Sequence, residues 1–100
     1  MKDYASIINA VKPQKQTALY KVLGALYSLG ALNTPVTTDE LTRTILLQFG
    51  QKGVLINLSA KLTQLRKYVR RESLERPIKW RLMPEGLAKL NKMSGLDLSG

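Results

Sequence analysis

The spacing of apolar residues changes period along this chain, and that change limits the folds open to it. Leu19, Val22, Leu23, Leu26 and Leu29 follow the i, i+3, i+4, i+7 rule of an amphipathic helix. Leu41, Ile45 and Phe49 repeat it, and so do Leu58, Leu62, Leu65 and Val69. From Pro77 the period becomes two. Ile78, Trp80 and Leu82 alternate with Lys79 and Arg81, the mark of a half-buried strand with a basic outer face. Several helical stripes followed by a short alternating run call for helices packed on a small β element.

Local signals set the bounds. Tyr4 to Val11 has the length of a short helix, ended at Lys12-Pro13. Pro13 suits the first turn of the next helix, predicted over 14–30, with Gly30 and Asn33 as stops. Thr37-Thr-Asp-Glu40 is a capping box, in which the Thr37 hydroxyl and the Glu40 carboxylate each satisfy a backbone N–H, and it opens a helix over 38–49. Gly50 and Gly53 bracket a turn, Val54 to Ile56 form a short extended run, and Asn57 caps a helix over 58–71. That helix would be a rod roughly 21 Å long. The strand is expected over 77–82. Pro84-Glu85 then opens a last helix with Leu87, Leu90 and Met93 inward, stopped by Gly95. The whole reads as one domain over 1–100, its core about 14–94 and its tail, 95–100, frayed.

Composition narrows the chemistry. The chain has no cysteine and no histidine, which removes disulfides, zinc fingers and cysteine or histidine catalysis. Its seven carboxylates make no paired or metal-ligand pattern, and Gly50-Gln-Lys-Gly53 lacks the spacing and ending of a phosphate loop. The expectation is a protein that is not an enzyme and carries no cofactor or metal. The opening MKDYASIINAVKPQK has no targeting pattern, and the apolar run from Val22 to Leu32 is about half a membrane span, so a cytoplasmic protein with no membrane role is expected.

The charge is +9, and six of those nine net charges lie between Lys61 and Arg81, where eight basic residues face two acids. A small domain this basic seeks polyanions. Two readings of the basic half of 57–72 stand side by side: a surface that reads nucleic acid, or the solvated side of a core helix. The concentration of charge, with Thr63 and Gln64 interleaved, favours the first.

The order helix, extended Pro-Val-Thr, helix, turn, helix, β segment, helix resembles the winged helix-turn-helix superfamily of DNA-binding regulators, of bacterial, phage or archaeal type. The resemblance rests on Thr34-Pro-Val-Thr-Thr-Asp-Glu-Leu41, Leu58-Ser-Ala-Lys-Leu-Thr-Gln-Leu65 and Lys79-Trp-Arg-Leu-Met-Pro-Glu-Gly86, and covers roughly residues 16–93. The last segment is similar to the strand-then-Thr-Pro-Glu-Gly exit of many such regulators, with Met83 for the Thr. Residues 50–56 make a longer link than the compact turn of the family, and 72–77 leave room only for a stubby wing.

The resemblance implies a mainly α fold of about four helices with a small β element and a short wing, and a third helix that enters the major groove of double-stranded DNA. Carried over residue by residue, it assigns base reading to Ala60, Lys61, Thr63, Gln64 and Lys67. Gln64 has the amide for a bidentate contact to adenine, and Lys61 or Lys67 the charge for guanine. Phosphates fall to Ser59, Arg66, Arg70 and Arg71, with Arg76, Lys79 and Arg81 from the wing. The function implied is that of a transcriptional regulator or DNA-processing accessory factor. A competing reading is a winged-helix module that docks proteins, through the Val22–Leu32 face. Trp80, alternating with Ile78 and Leu82, is expected in the core. Tyr20, Tyr27, Ala31 and Leu32 are the candidate seam of a homodimer. Lys21 and Lys52 have no place in this scheme.

Overall fold

The computed structural model describes residues 3–50, 58–73 and 75–98. It is mainly helical, with a small three-stranded antiparallel sheet. The expected extended run at 54–56, the Asn57 cap, Gly53 and Lys52 lie outside the described residues.

The first helix, α1 (Tyr4–Asn9), starts where the Asp3 carboxylate accepts from the Ser6 amide at 2.8 Å. Pro13–Lys15 form one tight turn. The second helix, α2 (Ala18–Ser28), is shorter than the expected 14–30 at both ends and begins four residues later. Gln16 accounts for the delay. Its backbone leaves helical geometry, and its side-chain amide donates to the carbonyls of Ile8 (3.0 Å) and Val11 (3.3 Å), tying the end of α1 to the start of α2. Thr17 then caps α2 by accepting from the Tyr20 amide. At the other end Gly30 takes a left-handed φ of 78° and the Ala31 amide donates back to the Leu26 carbonyl, closing the helix.

The first strand, β1 (Val36–Thr37), runs straight into α3 (Thr38–Phe49). Both halves of the Thr37–Glu40 capping box are formed, at 3.1 and 3.3 Å. The helix α4 (Leu58–Gln64) corrects the sequence reading most: it has seven residues rather than the fourteen of 58–71. Residues 65–68 turn, and Val69–Arg71 form a strand, β2, paired with β3 (Lys79–Leu82), which is itself shorter than the expected 77–82. The physical reason is competition for backbone groups. In a continued helix the Glu72 amide would donate to the Tyr68 carbonyl. Instead it donates to the Lys79 carbonyl at 2.9 Å, and the Tyr68 carbonyl accepts from Met83 at 2.9 Å.

The strand order is β1-β3-β2, with Val36 opposite Trp80 and Val69 opposite Leu82. The final helix, α5 (Pro84–Ser94), ends at a left-handed Gly95, as expected. The tail beyond it is not frayed as far as Leu98. The Leu98 amide donates to Asn91 Oδ1, its carbonyl accepts from the Tyr27 hydroxyl at 3.1 Å, and its side chain is buried.

The core gathers around α2. Tyr20, Val22, Leu23 and Leu26 are fully covered, together with Ile7, Ile8, Leu41, Ile45, Leu62, Leu82 and Leu90. Trp80 is buried as expected and donates its indole N–H to Thr38 Oγ1 at 2.9 Å. The same packing takes up three of the four residues expected at a dimer seam. Tyr20, Tyr27 and Ala31 are buried within the chain, Tyr20 donating to the Ile7 carbonyl, and Leu32 is half-buried. Of the Val22–Leu32 stretch, Val22 to Tyr27 and Ala31 are buried and the rest half-buried. Among the described residues no helix is long and apolar enough to cross a membrane.

Candidate nucleic-acid interface

α4 buries Leu58 and Leu62 and turns the opposite face outward. Ala60, Thr63 and Gln64 are exposed on that face, and Ser59 and Lys61 are half-exposed. The Thr63 hydroxyl donates to the Ser59 carbonyl at 2.9 Å, which leaves its oxygen lone pairs free to accept. The helix is about two turns long, which limits which of the residues expected to read bases lie on it. Ala60, Lys61, Thr63 and Gln64 are on it. Lys67 is not: it sits on the following turn, exposed, with its ammonium 5.9 Å from the centre of the Tyr68 ring.

The residues assigned to phosphate spread over α4 (Ser59), the turn after it, β2, the connection and β3, rather than over one helix and a wing. Arg66 is exposed on the turn after α4. Arg70 and Arg71 are exposed on β2, and Arg76 and Lys79 are exposed on the way into β3 and on it. Arg71 donates its Nε–H to the Ser73 carbonyl at 2.9 Å, and the Ser73 hydroxyl in turn donates to the Glu75 carbonyl, which shapes the connection between the two strands. β2 and β3 pair antiparallel as a hairpin. The sequence reading missed its first strand because Arg70 and Arg71 appeared to continue a helix.

Strand alternation sorts the hairpin into two faces. Val69, Trp80 and Leu82 point into the core. Arg70 lies directly opposite Arg81 on the outer face, and Glu72 follows opposite Lys79. Like charges placed opposite each other on adjacent strands repel. Glu72 offsets this: one carboxylate oxygen accepts from Arg81 Nε at 2.8 Å and stands 3.9 Å from Arg70 Nε. Arg81 also donates from Nη1 to the Leu32 carbonyl at 3.1 Å. Its guanidinium is thus committed within the chain, unlike that of Arg70, whose side chain is 66% exposed.

A groove of about 550 Å³ joins the two halves of the surface, lined by Thr37, Thr38 and Asp39 at the start of α3, Ser59 near the start of α4, and Arg76, Pro77 and Ile78 of the hairpin. Ser59 and Arg76, assigned to phosphate from different parts of the chain, therefore share one depression. Thr38, Asp39 and Glu72 were not singled out from the sequence. The signal for Glu72 was present, as an acid inside the basic run from Lys61 to Arg81. Lys21, which had no place, packs its ammonium 4.4 Å from the Phe49 ring centre.

No family model, curated protein or solved structure matches the chain.

Proposed function

We propose that the chain is a winged helix-turn-helix protein that binds double-stranded DNA, with α4 as the reading helix and the β2–β3 hairpin as a short wing, acting as a transcriptional regulator or DNA-processing accessory factor. The observation that carries the reading is the continuity of charge. Lys61, Arg66, Lys67, Arg70, Arg71, Arg76 and Lys79 follow one another over α4, the turn and the hairpin, and all but the half-exposed Lys61 are exposed. The element order β1-α3-α4-β2-β3, with β3 between its neighbours, adds support, since it sets a helix pair beside a hairpin.

In this scheme Gln64, Thr63, Lys61 and Ala60 meet base edges in the major groove, and the hairpin cations grip phosphates beside it. If about six cations touch phosphate, log K for duplex binding falls against log salt with a slope of about −5. A titration of random duplex at several salt concentrations measures this, and a slope shallower than about −2 removes the extended-patch reading. A second reading has its own observation: Leu47 of α3 is 88% exposed and Leu46 38%, a place where a protein partner could seat. Retention of the chain on heparin that is lost at moderate salt separates the two readings in favour of DNA.

A further inference from the structure

The outer face of the hairpin holds an acid where the proposed function would place a phosphate. Glu72 Oε1 lies 2.8 Å from Arg81 Nε and 3.9 Å from Arg70 Nε, with Lys79 the next residue across the strand pair. Two guanidiniums converging on one oxygen is the arrangement that binds a phosphodiester oxygen. Arg81 is held ready for it independently of Glu72, because Nη1 remains bonded to the Leu32 carbonyl. The pair is half-buried, and its remaining contact with solvent weakens it. The side chains of Glu72 and Arg81 are 26% and 29% exposed, so an incoming anion can reach the pair.

We propose that Arg70, Lys79 and Arg81 form a phosphate-binding site for the nucleic-acid backbone, and that Glu72 occupies it from within the chain as an intramolecular competitor. The proposal rests on the DNA reading for the identity of the ligand, not for the existence of the anion site. When duplex binds, a phosphate oxygen replaces the Glu72 carboxylate on Arg81 Nε, and the released carboxylate turns to solvent beside a bound polyanion. Glu72 thereby lowers affinity for every duplex by a similar factor and leaves discrimination to α4. The simpler account is that Glu72 only relieves repulsion between Arg70 and Arg81. That account predicts a loss of stability in Glu72→Gln and no gain in binding.

The test compares the wild-type protein with Glu72→Gln and with Glu72→Gln combined with Arg70→Ala. Binding of random duplex is followed by fluorescence anisotropy at two salt concentrations. Pyrophosphate is titrated separately while the Arg81 Nε–H resonance is observed. Glu72→Gln is expected to bind duplex about five-fold more tightly, with a salt slope steeper by about one. The added Arg70→Ala is expected to cancel most of that gain. Pyrophosphate is expected to move the Arg81 resonance at lower concentration in Glu72→Gln than in wild type. Equal or weaker duplex binding by Glu72→Gln overturns the competitor role. If no variant binds duplex, the DNA reading fails and pyrophosphate decides the site: earlier saturation in Glu72→Gln upholds it, and unchanged saturation overturns it.

Discussion

A methyl group at Gly86 would lie 2.4 Å from the Tyr68 carbonyl oxygen and 2.7 Å from Leu82 Cδ1. The first neighbour is backbone, and it is already fixed by its bond from the Met83 amide. Alanine in an open helical position gains about 1 kcal/mol over glycine. At Gly86 overpacking reverses the sign, and Gly86→Ala is expected to destabilise the protein by about 2 kcal/mol. A thermal melt reads this as a fall of roughly 10 °C for a chain of this size, and an unchanged or raised midpoint would show that α5 does not press on the Tyr68 turn. The glycine was visible in the sequence as part of a Pro-Glu-Gly exit, but its reason was not. That reason is a contact between residues 68 and 86, and no local pattern reports it. Arg81 is the same case: its spacing placed it on the outer face of a strand, while its bond to the Leu32 carbonyl depends on how two distant segments meet.

At the scale of elements, the capped helix α3 was legible to the residue because its signals are local: Thr37 and Glu40 close on each other within one turn. α4 was not. Its apolar positions, Leu58, Leu62, Leu65 and Val69, keep helical phase through the turn that ends it, since the Val69 amide still donates to the Leu65 carbonyl at 2.9 Å. Period alone could not separate a helix that continues from one that stops and keeps its side chains inward. What ends it is the pairing of Val69–Arg71 with β3, a tertiary preference of a β-branched residue for a buried cross-strand partner. The short helix sharpens the division of labour in the proposed interface. Gln64→Ala, on α4, is expected to cost about 1–3 kcal/mol on a preferred duplex and little on random DNA. Arg66→Ala, on the turn, should weaken both duplexes alike and make the salt slope shallower by about one. Binding isotherms for each variant on the two duplexes decide the matter, and parallel losses from both substitutions would mean that α4 does not read bases.

For the molecule as a whole, six of the nine net charges sit on the α4–hairpin segment, while the packing is centred on α2. The charge imbalance could be seen in the sequence, but the ties of α1 to α2 could not, because they run through tyrosine hydroxyls. Tyr4 donates to the Lys21 carbonyl at 2.8 Å, and Tyr20 to the Ile7 carbonyl. Burial raises the pKa of both phenols above the ordinary value near 10, with Tyr20 adding to the effect at Tyr4. Below pH 10 both groups are neutral whether the chain is folded or not, so their contribution to stability is intact. Above pH 10 the unfolded chain ionises them first and gains free energy, so folding stability falls as pH rises. Each phenol can contribute at most about 1.4 kcal/mol per pH unit. The urea midpoint should therefore hold steady between pH 7 and 9 and drop between about pH 10 and 12. The control is the double variant Tyr4→Phe with Tyr20→Phe. It loses both hydrogen bonds and starts from a lower midpoint, but its alkaline decline should be flatter. An equally steep decline in the variant would show that the buried phenols are not what alkali attacks.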